Sequence, residues 1–168
     1  MTDPMPHRPA PAADAPEALW SLGCLFVLRA AGEEMEAIEA IAPPGYSPPR
    51  HRHDFGSESF FILEGRVRFV VGDDDAVYGP GDFVRVPPGV PHSFETLGDE
   101  PLRTLSFVAP AGLWAFFAEC GRPADELRLP DTIEIPADLP EIVARHGGTV
   151  VGPPLNRPVL RLEAPAAC

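Results

Sequence analysis

Three histidines and one glutamate in the middle of the chain are of residue types that bind divalent metals. His51 and His53 alternate in a short stretch, Glu58 follows five residues later, and His92 opens a later segment. Imidazole and carboxylate groups are ligands for borderline ions such as iron, manganese, nickel, copper and zinc. Because no cysteine lies among them, the set is not typical of a structural zinc site. The sequence therefore predicts one divalent transition-metal ion per chain, bound by these four side chains.

The residues around this set predict strands joined by tight turns. Alternate side chains of a strand point to the same face, so His51 and His53 should project side by side. Residues 54–57, Asp-Phe-Gly-Ser, are typical of a turn. We expect Glu58 to follow on a neighbouring strand, about 4.8 Å from the strand of the histidines. A rigid turn rich in proline and glycine precedes His92, which should begin a further strand.

The rest of the chain predicts an all-β fold that ends in short helices. Apolar or alternating runs bounded by Gly and Pro predict strands at 20–30, 35–41, 58–63, 66–71, 76–79, 83–86, 92–97 and 102–109. Many short strands of this kind predict a sandwich or a barrel. Two short helices are predicted at 113–119, ending at Gly121, and at 139–146, followed by a last strand or extended segment at 149–152. The sequence leaves open whether these helices cap the mouth of the barrel or pack along its outside. His146 is interpreted as structural, because an imidazolium at a helix C-terminus interacts favourably with the helix dipole.

The spacing of the candidate ligands resembles the two motifs of the cupin family. The stretch Gly45-x5-His51-x-His53-x4-Glu58-x6-Gly65 is similar to the first motif, and Gly81-x5-Pro87-x-Gly89-x2-His92 is similar to the second. The family pattern usually ends in Asn where this chain has Thr96, a position that is not a ligand in the family. The resemblance implies a cupin-type double-stranded β-helix, that is, a jelly-roll barrel. It also implies a metal site of three histidines and one glutamate: His51, His53, Glu58 and His92.

Among cupins, the chain most resembles small single-domain members of the quercetin dioxygenase-like group. That resemblance implies O2-dependent cleavage of a small aromatic or enol-type metabolite, with Glu58 acting as both ligand and catalytic base. Two alternatives stay open. One is a non-oxidative, zinc-type cupin such as a polyketide cyclase or an isomerase, and the other is a non-catalytic cupin that binds a small molecule. A pocket with an open metal position favours an enzyme.

A substrate pocket should lie beside the metal, on the face of the strands that carries the ligands. Four apolar side chains are predicted to line it: Phe60, Ile62, Val84 and Phe94. An apolar lining with a few convergent polar groups is typical of a small-molecule site.

Composition limits the domain organisation and the partners. The 168 residues are 45% hydrophobic, which predicts one globular unit. We divide the chain into a flexible Pro/Ala-rich tail at 1–18, a cupin barrel at 19–110 and a C-terminal helical and extended extension at 111–168. The net charge of −12 argues against nucleic acid and anionic membranes as partners.

The cysteines and the first strand give two further expectations. Cys24, Cys120 and Cys168 are few and widely separated, as expected for reduced thiols of a cytoplasmic protein. The first predicted strand, at 20–30, is apolar on both faces and should therefore be covered on both sides. Since the first strand of cupins often contributes to a dimer interface, the resemblance implies a homodimer.

Overall fold

The computed structural model of the protein describes residues 17–156. This part of the chain contains twelve strands and two helices, α1 (Leu113–Cys120) and α2 (Leu139–Arg145). The strands are β1 (Ala18–Ser21), β2 (Cys24–Ala31), β3 (Glu36–Ala42), β4 (Arg50–His53), β5 (Ser57–Glu64), β6 (Arg66–Val71), β7 (Asp74–Tyr78), β8 (Phe83–Val86), β9 (His92–Leu97), β10 (Leu102–Ala109), β11 (Gly121–Pro123) and β12 (Gly148–Gly152). The predicted tail at 1–18 lies outside the described residues except for its last two, and Cys168 also lies outside them.

The strands pair antiparallel in two sheets that face each other. One sheet has the order β11-β1-β2-β3-β10-β5-β8, and the other has the order β12-β4-β9-β6-β7. Phe60 of β5 and Phe69 of β6 meet between the sheets, with their ring centroids 4.9 Å apart. Both rings belong to one buried apolar cluster that fills this interior. The prediction of an all-β double-stranded β-helix with short C-terminal helices is confirmed.

The predicted first strand is in fact a hairpin. A tight turn at Leu22 and Gly23 separates β1 from β2, and both residues have positive φ, of 52° and 85°. The prediction of one strand over 20–30 was therefore wrong at this point. Because Leu22 in the turn is apolar, the apolar run of the flanking strands continues through the turn. The sequence pattern therefore did not indicate the reversal of the chain, which the positive φ of Gly23 makes possible.

The outer face of this hairpin is covered by a later part of the same chain. A second buried cluster forms there, and its members are Ala18, Trp20, Leu25 and Val27. The indole N–H of Trp20 donates to the carbonyl of Arg128 at 2.8 Å, and the guanidinium of Arg122 lies 4.5 Å from the centre of the indole ring. The apolar character of both faces is thus accounted for within one chain. The homodimer stays a prediction.

The C-terminal extension is joined to both sheets. After α1, strand β11 pairs with β1, so that Pro123 lies opposite Leu19. After α2, strand β12 pairs with β4, so that Gly148 lies opposite His53. The rings of Phe117 in α1 and Phe26 in β2 are stacked, with 3.8 Å between their centroids. Neither helix of residues 17–156 has the length and apolar character needed to cross a membrane.

Candidate metal centre

The three histidines of the predicted set converge at one end of the five-stranded sheet. β4 carries His51 and His53, and β9 begins at His92, which lies directly opposite His51 in the antiparallel register. One ring nitrogen from each histidine lies within 4.8 Å of those of the other two. The sheet therefore brings three imidazoles to a single point, although His92 is far from the others in sequence.

Glu58 reaches the histidines from the opposite sheet. Its Oε2 lies 3.2 Å from Nε2 of His53 and 3.6 Å from Nε2 of His92. The expectation that Glu58 would lie on a neighbouring strand of the histidine sheet was wrong, because β4 and β5 belong to different sheets. The turn between them passes from one sheet to the other at the surface, where Phe55 is 78% exposed, and Gly56 in that turn has φ 86°. A Cβ at Gly56 would lie 2.5 Å from the carbonyl oxygen of Ala109, so the crossing requires glycine.

Backbone carbonyls orient two of the imidazoles. Nδ1 of His51 lies 2.7 Å from the carbonyl oxygen of Pro49, and Nδ1 of His92 lies 3.0 Å from that of Val90. A carbonyl only accepts hydrogen bonds, so Nδ1 carries the proton in each neutral ring and Nε2 keeps its lone pair. Such hydrogen bonds fix the tautomer and the orientation of histidines that bind metals.

The buried Nε2 atoms have no hydrogen-bond partner. Within the described residues, Nε2 of His53 and Nε2 of His92 are both enclosed and unpaired. The Glu58 carboxylate is close to both, but its position does not satisfy hydrogen-bond geometry. A buried polar atom without a partner costs free energy that a ligand can recover. Two unpaired imidazole nitrogens facing a carboxylate are a donor set that fits a divalent transition metal.

The electrostatics favour a neutral His51 and an ionised Glu58. Burial, reinforced by the neighbouring imidazoles, lowers the pKa of His51 to about 4, so this ring is neutral. Burial also disfavours charge on His53, but the Glu58 carboxylate more than offsets this and raises the His53 pKa. Burial likewise opposes ionisation of Glu58, yet His53 and His92 outweigh it and hold the pKa of this carboxyl well below its usual range. The glutamate is therefore an anion beside the imidazoles.

These side chains lie at the wall of a cavity of about 140 Å³ whose lining is otherwise mostly apolar. Of the four side chains predicted to line the pocket, Phe60 and Phe94 do so. Ile62 and Val84 do not line it and are instead buried in the apolar core. Residue alternation indicates which face of a strand a side chain takes, but not how far along the barrel it lies.

Sequence reasoning missed the part of the lining that the C-terminal extension supplies. We call α1 and residues 139–152, which include α2 and β12, together the cover. Eight of its residues line the cavity: Leu113, Phe116, Phe117, Leu139, Val143, His146, Gly148 and Val150. The apolar residues of the two predicted helices indicated that the helices are partly buried. They did not indicate that the helices pack against this cavity. His146, interpreted as structural from the sequence, lies in the cavity wall.

Comparisons with known proteins agree with the motifs. Residues 38–108 match the family described as Cupin domain. An uncharacterised protein of Methanocaldococcus jannaschii is 34% identical over 79 residues, which are 47% of this chain and 63% of that protein. Quercetin 2,3-dioxygenase of Bacillus subtilis is 27% identical over 86 residues, which are 51% of this chain and 25% of that enzyme. The chain thus matches less than two thirds of the length of either relative.

A solved structure shares the fold. The cupin domain of Schizosaccharomyces pombe Cnp3 superposes with a TM-score of 0.52 and 22% identity, covering 62% of this chain and 73% of that domain. This likeness concerns the fold alone. With the motifs in register, the matching family and the two facing sheets, residues 38–108 are a cupin domain, and the fold built around them is the cupin double-stranded β-helix.

Proposed function

We propose that this protein is a metal-dependent cupin enzyme, a dioxygenase that acts on a small aromatic or enol-type metabolite. One observation carries the proposal: unpaired imidazole nitrogens and a carboxylate converge at the wall of a mostly apolar cavity. His51, His53, Glu58 and His92 would hold one divalent transition metal. When bound, that metal supplies Lewis-acid polarisation of a substrate oxygen and access to O2 chemistry.

The side chains of the cavity suit a flat, largely apolar substrate. Phe60 and Phe94 present aromatic surfaces to the same cavity as the histidines, and Phe116 of the cover contributes a third ring. Burying an aromatic molecule among such rings is favourable, and it excludes water from the ligands. Two hydroxyls of β10, those of Thr104 and Ser106, add polar groups to the wall. The prediction that Glu58 also serves as catalytic base stays a prediction.

The partial match to quercetin 2,3-dioxygenase of Bacillus subtilis supports this reaction class. That match covers about half of this chain but only a quarter of the enzyme. It therefore supports a shared type of site rather than a shared substrate.

Elemental analysis of protein purified without added metal or chelator is the first test. Iron, manganese, nickel or copper near one per chain is expected, followed by O2 uptake when quercetin or catechol is added. The His92→Ala variant should lose both the metal and the O2 uptake. A wild-type protein that binds no metal even after reconstitution would contradict the proposal. A loaded protein that consumes no O2 with any phenol or enol would contradict the dioxygenase assignment alone.

A second function has its own support. A non-oxidative, zinc-type enzyme that isomerises or cyclises its substrate needs an acid–base group outside the ligand set. His146 lies in the cavity wall, and its Nε2 is 2.7 Å from Oε2 of Glu119. Zinc near one per chain in the purified protein, together with turnover that does not depend on O2, would favour this second function.

A further inference from the structure

His146 is the one imidazole in the cavity wall, among the described residues, that is not in the candidate ligand set. It follows α2 directly and stands two residues before Gly148, which lies opposite His53 in the β12–β4 register. The cover thus brings His146 into the wall of the same cavity as the candidate ligands, although it is far from them in sequence. Its side chain is only 23% exposed.

A carboxylate on the other helix of the cover fixes the His146 ring. Nε2 of His146 lies 2.7 Å from Oε2 of Glu119 at the end of α1. The guanidinium of Arg145 pairs with the other oxygen of Glu119 and, with His146, lowers the pKa of that carboxyl. The ring of Phe116 stands nearly perpendicular to that of His146, with 5.9 Å between the centroids. The imidazole is therefore held by a hydrogen bond on one side and an aromatic ring on another.

This arrangement selects one tautomer of the neutral ring. An ionised carboxylate only accepts hydrogen bonds, so Nε2 carries the proton that is donated to Glu119. Nδ1 is then the basic nitrogen, and within the described residues it has no hydrogen-bond partner. A base that is oriented and polarised by a carboxylate is a recurrent arrangement for proton transfer.

The position of Glu58 makes a separate base useful. Glu58 is enclosed by His53 and His92 and belongs to the candidate ligand set. To accept a proton, it would have to give up an interaction that holds the metal end together. A base in the cover can accept the proton without disturbing the ligands.

We propose that His146, oriented by Glu119, accepts the hydroxyl proton of a phenol or enol bound in the cavity. The O–H bond of the substrate breaks, its electron pair stays on the oxygen, and a new N–H bond forms at Nδ1 of His146. The ring becomes an imidazolium, and its other N–H continues to donate to Glu119. This inference rests on the proposed function, because it requires a substrate that carries an acidic hydroxyl group.

The test follows the proton itself, with 4-nitrocatechol as a probe. This compound changes colour when it loses its first proton, and zinc-loaded protein is expected to bind it without oxidising it, because zinc has no redox chemistry. Stopped-flow mixing at a pH below that at which the free compound ionises gives the rate of proton loss, and equilibrium titration gives the affinity. In the His146→Gln variant, the bound probe should lose its proton about 100-fold more slowly than in the wild type, with the zinc content unchanged. Glu119→Gln should show a smaller decrease.

Two further variants separate proton transfer from folding. Glu141→Gln makes the same carboxylate-to-amide change on an exposed position of α2 and should behave as wild type. The double variant of His146→Gln with Glu119→Gln should be no slower than His146→Gln alone, since Glu119 acts through the ring.

The outcomes distinguish this inference from the proposed function. A His146→Gln protein that binds zinc and the probe, and ionises the probe at the wild-type rate, would overturn the role of His146 and leave the proposed function intact. A zinc-loaded wild-type protein that does not bind the probe would overturn the proposed function and this inference together.

Discussion

The two ends of the cavity are built in different ways. At the metal end, the orienting contacts are local, because Pro49 and Val90 each lie two residues before the histidine that they hold. The cover is held by contacts between distant parts of the chain, such as the stacking of Phe117 on Phe26 and the pairing of β12 with β4. The first end should therefore decide metal affinity. The second should decide stability, access and proton transfer.

The largest expected effect is a loss of zinc affinity when a histidine of the metal end is replaced, but not when a residue of the cover is replaced. His92→Ala should lower zinc affinity by more than about 100-fold, because even the loss of a group that only orients a ligand costs about 10–100-fold. His51→Ala should behave similarly. Phe116→Ala, a truncation in the cover, should leave zinc affinity within a few-fold of wild type. Calorimetric titration of the apo proteins with zinc measures these affinities. A large loss of zinc affinity in Phe116→Ala would contradict the assignment of metal affinity to the metal end alone.

Truncation of a buried side chain in the cover should lower the stability of the protein. Ile142 is the buried residue of α2, only 3% exposed, and Ile142→Ala should lower the free energy of unfolding by about 2 kcal/mol through lost burial and a residual cavity. Urea unfolding of the apo protein measures this change. The neighbouring exposed position, varied as Glu141→Ala, is the matched control and should change stability little. A wild-type-like Ile142→Ala would mean that the cover is not packed as described.

The metal end should respond to pH in a defined direction. A protonated imidazole cannot bind a metal, and His53 is the histidine whose pKa is raised, by the Glu58 carboxylate against the effect of burial. Zinc affinity should therefore be full above the His53 pKa and fall by about tenfold per pH unit below it, until a second ligand also takes up a proton. Zinc titrations across a pH series measure this. His146→Gln should follow the wild-type curve, and a displaced curve would place His146 among the ligands.

The smallest expected effect concerns the thiol that lies behind the cover. Cys24 is 1% exposed and lines the cavity, and burial raises the pKa of its thiol to about 12. A thiol reagent should therefore label Cys24 slowly in the native protein and rapidly after unfolding. In Ile142→Ala, labelling should be several-fold faster, because the loosened cover opens more often. Peptide mapping distinguishes Cys24 from the other cysteines, and equal rates in both proteins would show that the cover does not control access.

Most strands and both helices were predicted correctly, because the apolar pattern and the bounding residues that define them lie within the elements themselves. Strands β6, β8, β9 and β10 have the predicted bounds, since each is an apolar or alternating run bounded by Gly, Pro or Asp. Both helices formed where they were predicted, to within one residue at their ends. The first hairpin was missed because Leu22 continues an apolar run through a turn. The short strand β11 was missed because its three residues carry no periodic pattern.

The sequence by itself determined the fold class and the set of four chemical groups, because motif spacing and residue alternation act within single strands and turns. Only the tertiary structure decided that Glu58 crosses from the opposite sheet, since a turn signal does not say which sheet the next strand joins. Only the tertiary structure placed Ile62 and Val84 in the core rather than at the cavity. It also brought His146 to the cavity wall and Glu119 into contact with it, because long-range packing of apolar side chains and the pairing of β12 with β4 fix where the cover lies.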